Sequence, residues 1–281
     1  MSASRSAILE AALNGGTQKA ANPSVPRTTD ELVLDGFACL DAGAAIVHTH
    51  IDEPGVAAPR AAELYAAHFA PILDLRPDAL LYPTVGFART FEESFAHFPI
   101  LVERLGLRIG IIDPGCVNLA GFAYVNTPEA IRQMVELCAR LRLGPSIAIF
   151  EPGFLRHALG YWKRGALPRG ALLKFYMGGT HADLGFGLPP TPRMLDAYLE
   201  MLGDCPLPWS VGVLGGDVFE HGLARHALER GGHLHLGLED FAGARKPTNA
   251  ELLHEAVSLC REVGRPVASC AEAARILDLP R

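Results

Sequence analysis

The stretch TTDELVLDGFACLDAGAAIVHTH, residues 28–50, contains one helix and one strand joined at a glycine. The helix is predicted over 28–43, because a threonine precedes it, acidic residues occupy its first turn and Gly43 can end it. The strand is predicted over 44–50, where a short run of small and branched apolar residues follows. The chain repeats this pairing of strand and helix, so the stretch shows the unit from which the fold is built.

Eight such units follow one another, and no break in composition is long enough to be a linker between domains. Strands are predicted over 7–15, 44–50, 80–86, 107–115, 146–153, 171–179, 209–216 and 233–240. Helices are predicted after seven of these strands, all but the one at 44–50: over 28–43, 90–106, 127–144, 193–204, 217–232, 249–264 and around FLRHALGYWKRG, with Pro99 expected to kink or split the second of them. Eight units in 281 residues predict an α/β fold, a single (β/α)8 TIM barrel that occupies residues 1–281.

A doubly wound sheet is the alternative architecture for alternating strands and helices. It usually carries a glycine-rich phosphate turn after its first strand, and LNGGTQ at residues 13–18 lacks the G-x-G-x-x-G pattern. The barrel is therefore favoured. In a barrel the active site lies at the carboxyl ends of the strands, so polar residues at those ends are candidates for function.

Charge and composition limit the partners and the compartment. The net charge is −6 and no block of basic residues occurs, which argues against a nucleic-acid or acidic-membrane partner. Six cysteines are spread singly, which is typical of reduced thiols in a reducing compartment. No apolar run reaches about 18 residues and no N-terminal run resembles a signal peptide, so we expect a soluble, cytoplasmic protein.

Two histidines and one glutamate indicate a metal site. His48 and His50 lie two residues apart on a predicted strand, so they project from the same face near its carboxyl end. In HLHLGLED the leucines share one face, which leaves Glu239 facing inward on the last strand. Two histidines and a carboxylate suit a catalytic Zn²⁺. The alternatives are structural histidines, and a Glu239 that pairs with Arg245 or caps a helix.

The residues around these ligands resemble the β-keto acid cleavage enzymes. The resemblance rests on G-A-A-I-V-H-T-H at 43–50, G-G-H-L-H-L-G-L-E-D at 231–240, T-N-A-E-L-L at 248–253, G-R-P-V-A-S at 264–269, and an early ALNGG followed by NPSVPRTTDEL. It therefore runs nearly from end to end. It implies a (β/α)8 barrel with a divalent metal, usually zinc, and a homo-oligomeric assembly.

The same resemblance implies a reaction and roles for residues. A small β-keto acid and acetyl-CoA, as co-substrate, would become acetoacetate and a shortened acyl-CoA. His48, His50 and Glu239 would be the metal ligands, and Asp240 the adjacent acid–base carboxylate. Polar or small residues at neighbouring strand ends are expected to bind the substrate: Asn14, Thr84, Gly86, Cys116, Asn118 and Glu151, of which Glu151 could instead cap a helix.

The chain also departs from the family pattern. His235 stands where the family usually has an arginine that engages the catalytic aspartate, so His235 is a candidate catalytic residue that holds Asp240 or the substrate. Residues 52–53 are Asp-Glu where Arg-Asp is common. Residues 82–86 replace an ISTGG-like segment, and Asp113 replaces an asparagine. A divergent member with an unfamiliar substrate is therefore expected.

Three other interpretations remain open. Lys174 on the sixth strand could form a Schiff base, as in barrel aldolases, although a buried ion pair with Glu10 is the preferred reading. A metal-dependent hydrolase that does not use CoA could take Cys116 or Glu151 as a further ligand. The third alternative is a non-catalytic protein that binds a metal or a small acid.

Overall fold

Eight short parallel strands curl into a barrel, as predicted, in a computed structural model that describes residues 6–53, 55–86, 88, 90–119, 121–181 and 184–280. The barrel strands are β1 (Leu9–Ala12), β2 (Ile46–Thr49), β3 (Leu80–Pro83), β4 (Ile109–Ile112), β7 (Gly144–Ile149), β8 (Leu172–Gly178), β9 (Trp209–Leu214) and β10 (His233–Leu236). A separate antiparallel hairpin of β5 (Cys116–Leu119) and β6 (Phe122–Val125) follows β4.

Helices surround the barrel, and together with it they bury both faces of the strands. They are α1 (Thr29–Asp41), α2 (Ala58–Leu75), α3 (Phe91–Phe95), α4 (His97–Leu105), α5 (Pro128–Leu141), α6 (Pro152–Lys163), α7 (Pro192–Leu202), α8 (Leu223–Glu229), α9 (Asn249–Glu262) and α10 (Cys270–Ile276). Most barrel-strand residues are buried, as expected for a parallel sheet covered by helices outside and filled by side chains inside. No helix in the described ranges combines the length and apolar character needed to cross a bilayer.

The strand order explains how distant residues meet. Ladders join the strands in the order β3-β2-β1-β10-β9-β8-β7-β4. In β1, Ala12 pairs with His48 of β2, while Glu10 pairs with His235 of β10. The first and last strands are therefore neighbours, and the carboxyl ends of β2 and β10 are separated by one strand only.

Local capping decides where several helices begin. Thr28, one of two candidate threonines, caps α1: its hydroxyl accepts from the amide of Glu31, whose carboxylate accepts from the Thr28 amide at 3.1 Å. The segment predicted as one helix over 90–106 is split at Ala96 into α3 and α4. Pro99 is the third residue of α4, where its missing N–H removes no intrahelical hydrogen bond.

Other elements differ from the sequence prediction. The predicted helix over 217–232 begins later, with a 3-10 turn at Glu220–Gly222 before α8. Helices α2 and α10 and the β5–β6 hairpin were not predicted. The hairpin matters most for function, because it converts the loop after β4 into a wall beside the barrel mouth.

Candidate active site

The two histidines and the glutamate converge at the mouth of the barrel. Nε2 of His50 lies 3.1 Å from Oε1 of Glu239, and Nε2 of His48 lies 3.7 Å from Oε2 of the same carboxylate. One ligand atom from each residue lies within 4.8 Å of the other two. Donors bound at about 2.1 Å to one tetrahedral zinc are separated by roughly 3.4 Å, so these spacings suit a metal.

The hydrogen-bonding pattern leaves ligand atoms of these residues available to a metal. Nε2 of His50 and Oε2 of Glu239 are buried, and neither has a hydrogen-bond partner among the described residues. Buried polar atoms are normally satisfied, so a cation would supply the missing partner. The alternative partner of Glu239, Arg245, instead binds Asp217 at 2.7 Å. The side chains present therefore fit a divalent metal.

Outer contacts fix the orientation of both histidines. Nδ1 of His48 lies 3.2 Å from the carbonyl oxygen of Tyr82, which can only accept, so Nδ1 carries the proton and Nε2 is left as the donor to a metal. The side chain of Asn14 holds the backbone of His50, donating to its carbonyl at 3.0 Å and accepting from its amide at 2.9 Å. Between the histidines, Thr49 points outward and its hydroxyl lies 2.9 Å from His68 on α2.

Charge states also match those of ligands. Burial lowers the pKa of His48 to about 3, so its imidazole is neutral. Burial alone would raise the pKa of Glu239, but the neighbouring His50 and His48 outweigh it and hold the pKa below its ordinary value. A neutral imidazole beside an ionised carboxylate is the state in which both bind a metal.

The glycine of the G-L-E-D motif sets the position of Glu239. Gly237 has φ +149°, and a Cβ there would lie 2.0 Å from the carbonyl oxygen of Ala12. Glycine is the residue that tolerates both this backbone conformation and this close approach. The tight passage lets the Glu239 amide donate to the Ala12 carbonyl at 3.2 Å, which ties the glutamate to the end of β1.

A buried chain of charged groups lies next to the three metal-ligand candidates. Nε2 of His235 is 2.8 Å from Oδ2 of Asp240, and Nδ1 of His235 is 3.1 Å from Oε1 of Glu10. Nζ of Lys174 lies 3.2 Å from the same Glu10 oxygen and donates to the Tyr82 hydroxyl at 2.8 Å. The Tyr82 hydroxyl in turn donates to Glu10. The predicted Lys174–Glu10 ion pair is confirmed, and His235 joins it to Asp240.

These contacts shift the pKa values of the chain. Burial and Lys174 would lower the pKa of His235, but Glu10 and Asp240 outweigh them and raise it to about 9. Burial raises the pKa of Asp240, against the opposing effect of His235. Burial would also raise the pKa of Glu10, yet Lys174 and His235 hold it below its ordinary value. His235 is therefore a cation between two carboxyl groups and supplies the positive charge that an arginine would bring.

A cavity of about 180 Å³ opens over the three metal-ligand candidates and Asp240; it is called the catalytic cavity here. Its other walls come from side chains on several strand ends: Tyr82, Thr84, Val85, Ile111, Asp113, Leu119, Tyr124, Ser146, Ala148, Phe150, Lys174, Tyr176 and Leu214. In this wall the Tyr124 hydroxyl donates to the buried Asp113 carboxylate at 2.6 Å. The mixture of aromatic and polar groups beside a metal site is suited to a small acid.

The expected substrate-binding residues are only partly brought together. Thr84 lines the catalytic cavity, whereas Gly86 lines the clefts beside it. The amide of Asn14 is occupied by His50, as described above. The carboxylate of Glu151 accepts from the Gly187 amide at 3.0 Å and makes no side-chain cap to α6.

Cys116 and Asn118 are carried away from the cavity by the β5–β6 hairpin. Both are exposed, and the Cys116 thiol donates to the Asn126 carbonyl at 3.4 Å. Sequence reasoning missed Tyr82, Tyr124 and Tyr176 as wall residues. For Tyr176 a signal existed, since it alternates with Lys174 on one face of its strand.

The unusual residues 52–53 have local partners. Asp52 forms an ion pair with Arg27, whose Nε lies 3.1 Å from its carboxylate, and Glu53 accepts from Arg60 at 2.9 Å. Arg27 also donates to the carbonyls of Gly15 and Thr17 in the loop after β1. The Asp-Glu pair therefore orders the rim of the barrel.

Comparisons with known proteins agree with this geometry. The family model described as beta-keto acid cleavage enzyme matches residues 6–279. The 3-keto-5-aminohexanoate cleavage enzyme of Acetoanaerobium sticklandii is 28% identical over 282 residues, covering 98% of each chain. The 3-oxoadipate:acetyl-CoA acetyltransferase of Cupriavidus necator is 27% identical over 281 residues, covering 97% of this chain and 95% of the relative.

A solved structure supports the fold. The apo structure of ObcA superposes with a TM-score of 0.72 at 16% identity, over 92% of this chain and 66% of that one. This chain thus spans slightly less than two thirds of the length of ObcA. At this identity the likeness establishes the barrel architecture and nothing about the reaction.

Proposed function

We propose that this chain, which belongs to the beta-keto acid cleavage enzyme family and is therefore an enzyme, transfers a carboxymethyl group from a β-keto acid to the acetyl group of acetyl-CoA. The balance is R–CO–CH₂–COO⁻ plus CH₃CO–S–CoA, giving CH₃CO–CH₂–COO⁻ plus R–CO–S–CoA. The carboxymethyl group leaves the R-acyl carbon and joins the acetyl carbon, while the CoA sulfur moves to the R-acyl group. The relative from Cupriavidus necator carries acetyl-CoA in its name.

One observation carries the proposal: a buried set of two imidazoles and a carboxylate, with free donor atoms, stands next to Asp240 in a substrate-sized cavity. His48, His50 and Glu239 would hold the metal, and zinc is proposed because of this donor set. A metal there supplies a Lewis acid for the keto oxygen and its developing negative charge.

The protein groups supply proton transfer and orientation. Asp240 removes a proton from the carbon between the keto and carboxylate groups, and it returns a proton when the products separate. His235 holds Asp240 at 2.8 Å and is itself held by Glu10, so the carboxylate has a fixed direction. Thr84, which lines the cavity just after β3, would donate to a substrate oxygen. Homo-oligomerisation remains a prediction.

A substrate panel tests the reaction. The purified protein is incubated with β-keto acids that differ in R, with and without acetyl-CoA, and acetoacetate and acyl-CoA are quantified. We expect both products in equal amounts and only when acetyl-CoA is present. Turnover without CoA would refute the proposal in favour of a hydrolase or aldolase.

A variant pair ties the activity to the site. Asp240→Asn should abolish at least about 99% of the turnover, since general acid–base catalysis contributes roughly 10²–10⁴-fold. Its metal content should not change. The matched control Asp30→Asn, at an exposed position in the first turn of α1, should retain full activity. Full activity of Asp240→Asn would remove Asp240 from the mechanism.

A further inference from the structure

A second, larger cleft of about 550 Å³ lies beside the catalytic cavity. Its lining includes residues 122–127, from β6 to the start of α5, and residues 90–92, 94 and 95, around α3. Val85 and Tyr124 line both this cleft and the catalytic cavity. The two spaces therefore adjoin, and we call the larger one the arm cleft.

The strand β6 faces the arm cleft with its edge. All residues from Phe122 to Thr127 line the cleft without a gap. Because successive side chains of a strand point to opposite faces, an unbroken run of lining residues means that the backbone itself borders the space. A strand edge offers peptide groups to an extended ligand that carries amides of its own.

Charge in the arm cleft favours a neutral ligand. Its polar lining includes Thr90, Ser94, Thr127 and Gln133, none of which is charged. Two glutamates also line it, and one of them, Glu129, is paired with Arg132, whose Nε lies 3.0 Å from its carboxylate. No lysine or arginine is among the described lining residues, so these residues offer a phosphate group no cationic partner.

A buried amide marks the inner end of the arm cleft. Asn126 is 7% exposed, and its side-chain amide interacts with the Tyr124 hydroxyl. Tyr124 borders the catalytic cavity, so this amide stands at the junction of the two spaces. An amide nitrogen carries two N–H groups, so one of them is left for an acceptor other than Tyr124.

We propose that the arm cleft binds the pantetheine arm of acetyl-CoA, an inference that rests on the proposed function. The arm is extended and uncharged, and it contains two amides, which suits a strand edge and a neutral lining. Its thioester end would enter the catalytic cavity past Tyr124, and Asn126 would donate to a carbonyl near that end. The phosphates of the nucleotide would lie outside the cleft.

Filling the cleft tests this assignment. Ala123→Trp places a large ring on the β6 wall, and Gln133→Trp does so from α5, as a second variant in case the first fails to fold. The control Ala271→Trp changes an exposed residue of α10, away from the cleft. Binding of CoA is measured by calorimetry. Steady-state rates are measured with acetyl-CoA and with the acetyl thioester of N-acetylcysteamine, which lacks most of the arm.

The expected result is selective. Both cleft variants should weaken CoA binding and raise the KM for acetyl-CoA by about tenfold, which corresponds to about 1.4 kcal/mol. Their kcat/KM with the short thioester should stay within about twofold of the unmodified protein. Unchanged CoA binding in both folded variants would overturn the arm cleft and leave the proposed reaction standing. An unmodified protein that neither binds CoA nor forms acetoacetate would overturn the reaction and the cleft together.

Discussion

Replacing Glu10 by glutamine should destabilise the barrel more than replacing Lys174 by methionine. Both side chains are almost completely buried, at 1% and 5% exposure. The difference between the two variants follows from the number of partners. Among the described residues, Glu10 is the one anion that forms ion pairs with both Lys174 and His235, whereas Lys174 forms an ion pair with Glu10 alone.

The magnitudes can be worked out from these contacts. Removing one partner of a buried ion pair costs about 3–5 kcal/mol, because the other charge stays buried without compensation. Glu10→Gln leaves both Lys174 and His235 without this anion and should fall at the upper end of that range. In Lys174→Met the carboxylate keeps His235 at 3.1 Å and the Tyr82 hydroxyl, so the cost should be about 3 kcal/mol or less.

Equilibrium unfolding in urea at pH 7, followed by circular dichroism, measures both costs. The double variant should lose less than the sum of the two single losses, with a coupling of about 0.5–3 kcal/mol for residues in direct contact. The control Asp278→Asn breaks an exposed ion pair with Arg169 and should leave the unfolding midpoint unchanged. A loss in Lys174→Met as large as that in Glu10→Gln, or additive losses in the double variant, would refute the shared-anion reasoning.

Three further predictions concern the metal site and the pH dependence of folding. Glu239→Gln should reduce bound zinc, measured by elemental analysis, without lowering the thermal midpoint of the metal-free protein; a full zinc content would exclude Glu239 as a ligand. Gly237→Ala should lower both stability and zinc content, because a Cβ would overlap a backbone carbonyl of β1; an unchanged unfolding curve would contradict this. Burial raises the pKa of Asp35 from 3.8 to about 6, against a hydrogen bond from Asn249, so the folded state holds this proton more tightly than the unfolded state does. Its stabilising contribution should be complete below pH 3.8 and lost as the pH rises through about 6, and Asp35→Asn should flatten this part of the urea-midpoint profile; an identical profile would contradict the assignment.

The fold and the three proposed metal ligands were accessible from sequence because both depend on local periodicity. The alternation of strands and helices requires no knowledge of distant contacts. The face of a strand on which His48, His50 and Glu239 lie follows from counting by two. Once eight parallel strands are assigned, the barrel brings the carboxyl ends of the first, second and last strands together.

The remaining features depend on contacts that local patterns do not encode. The tyrosine Tyr82 meets Glu10 and Lys174 only because three separate strands curve around one interior. Cys116 and Asn118 follow a strand and were therefore expected at the mouth, but the loop folds back on itself as a hairpin. The sequences of the two hairpin strands, CVNL and FAYV, do not alternate between apolar and polar residues, so no periodic pattern marks them as a half-exposed hairpin.

The ladders of the barrel leave one junction without backbone pairing. In the described part of the chain, β3 and β4 lie side by side but are not joined by a ladder, so the sheet has two facing edges. Tyr82 and Thr84 on one side of this junction, and Ile111 and Asp113 on the other, line the catalytic cavity. The width of the cavity is therefore set by side-chain packing, and no strand-to-strand hydrogen bond has to break for it to widen. We expect substitutions along this line to change the length of the acyl chain that the cavity accepts, while the three metal-ligand candidates, on the continuously paired strands β2, β1 and β10, stay in place.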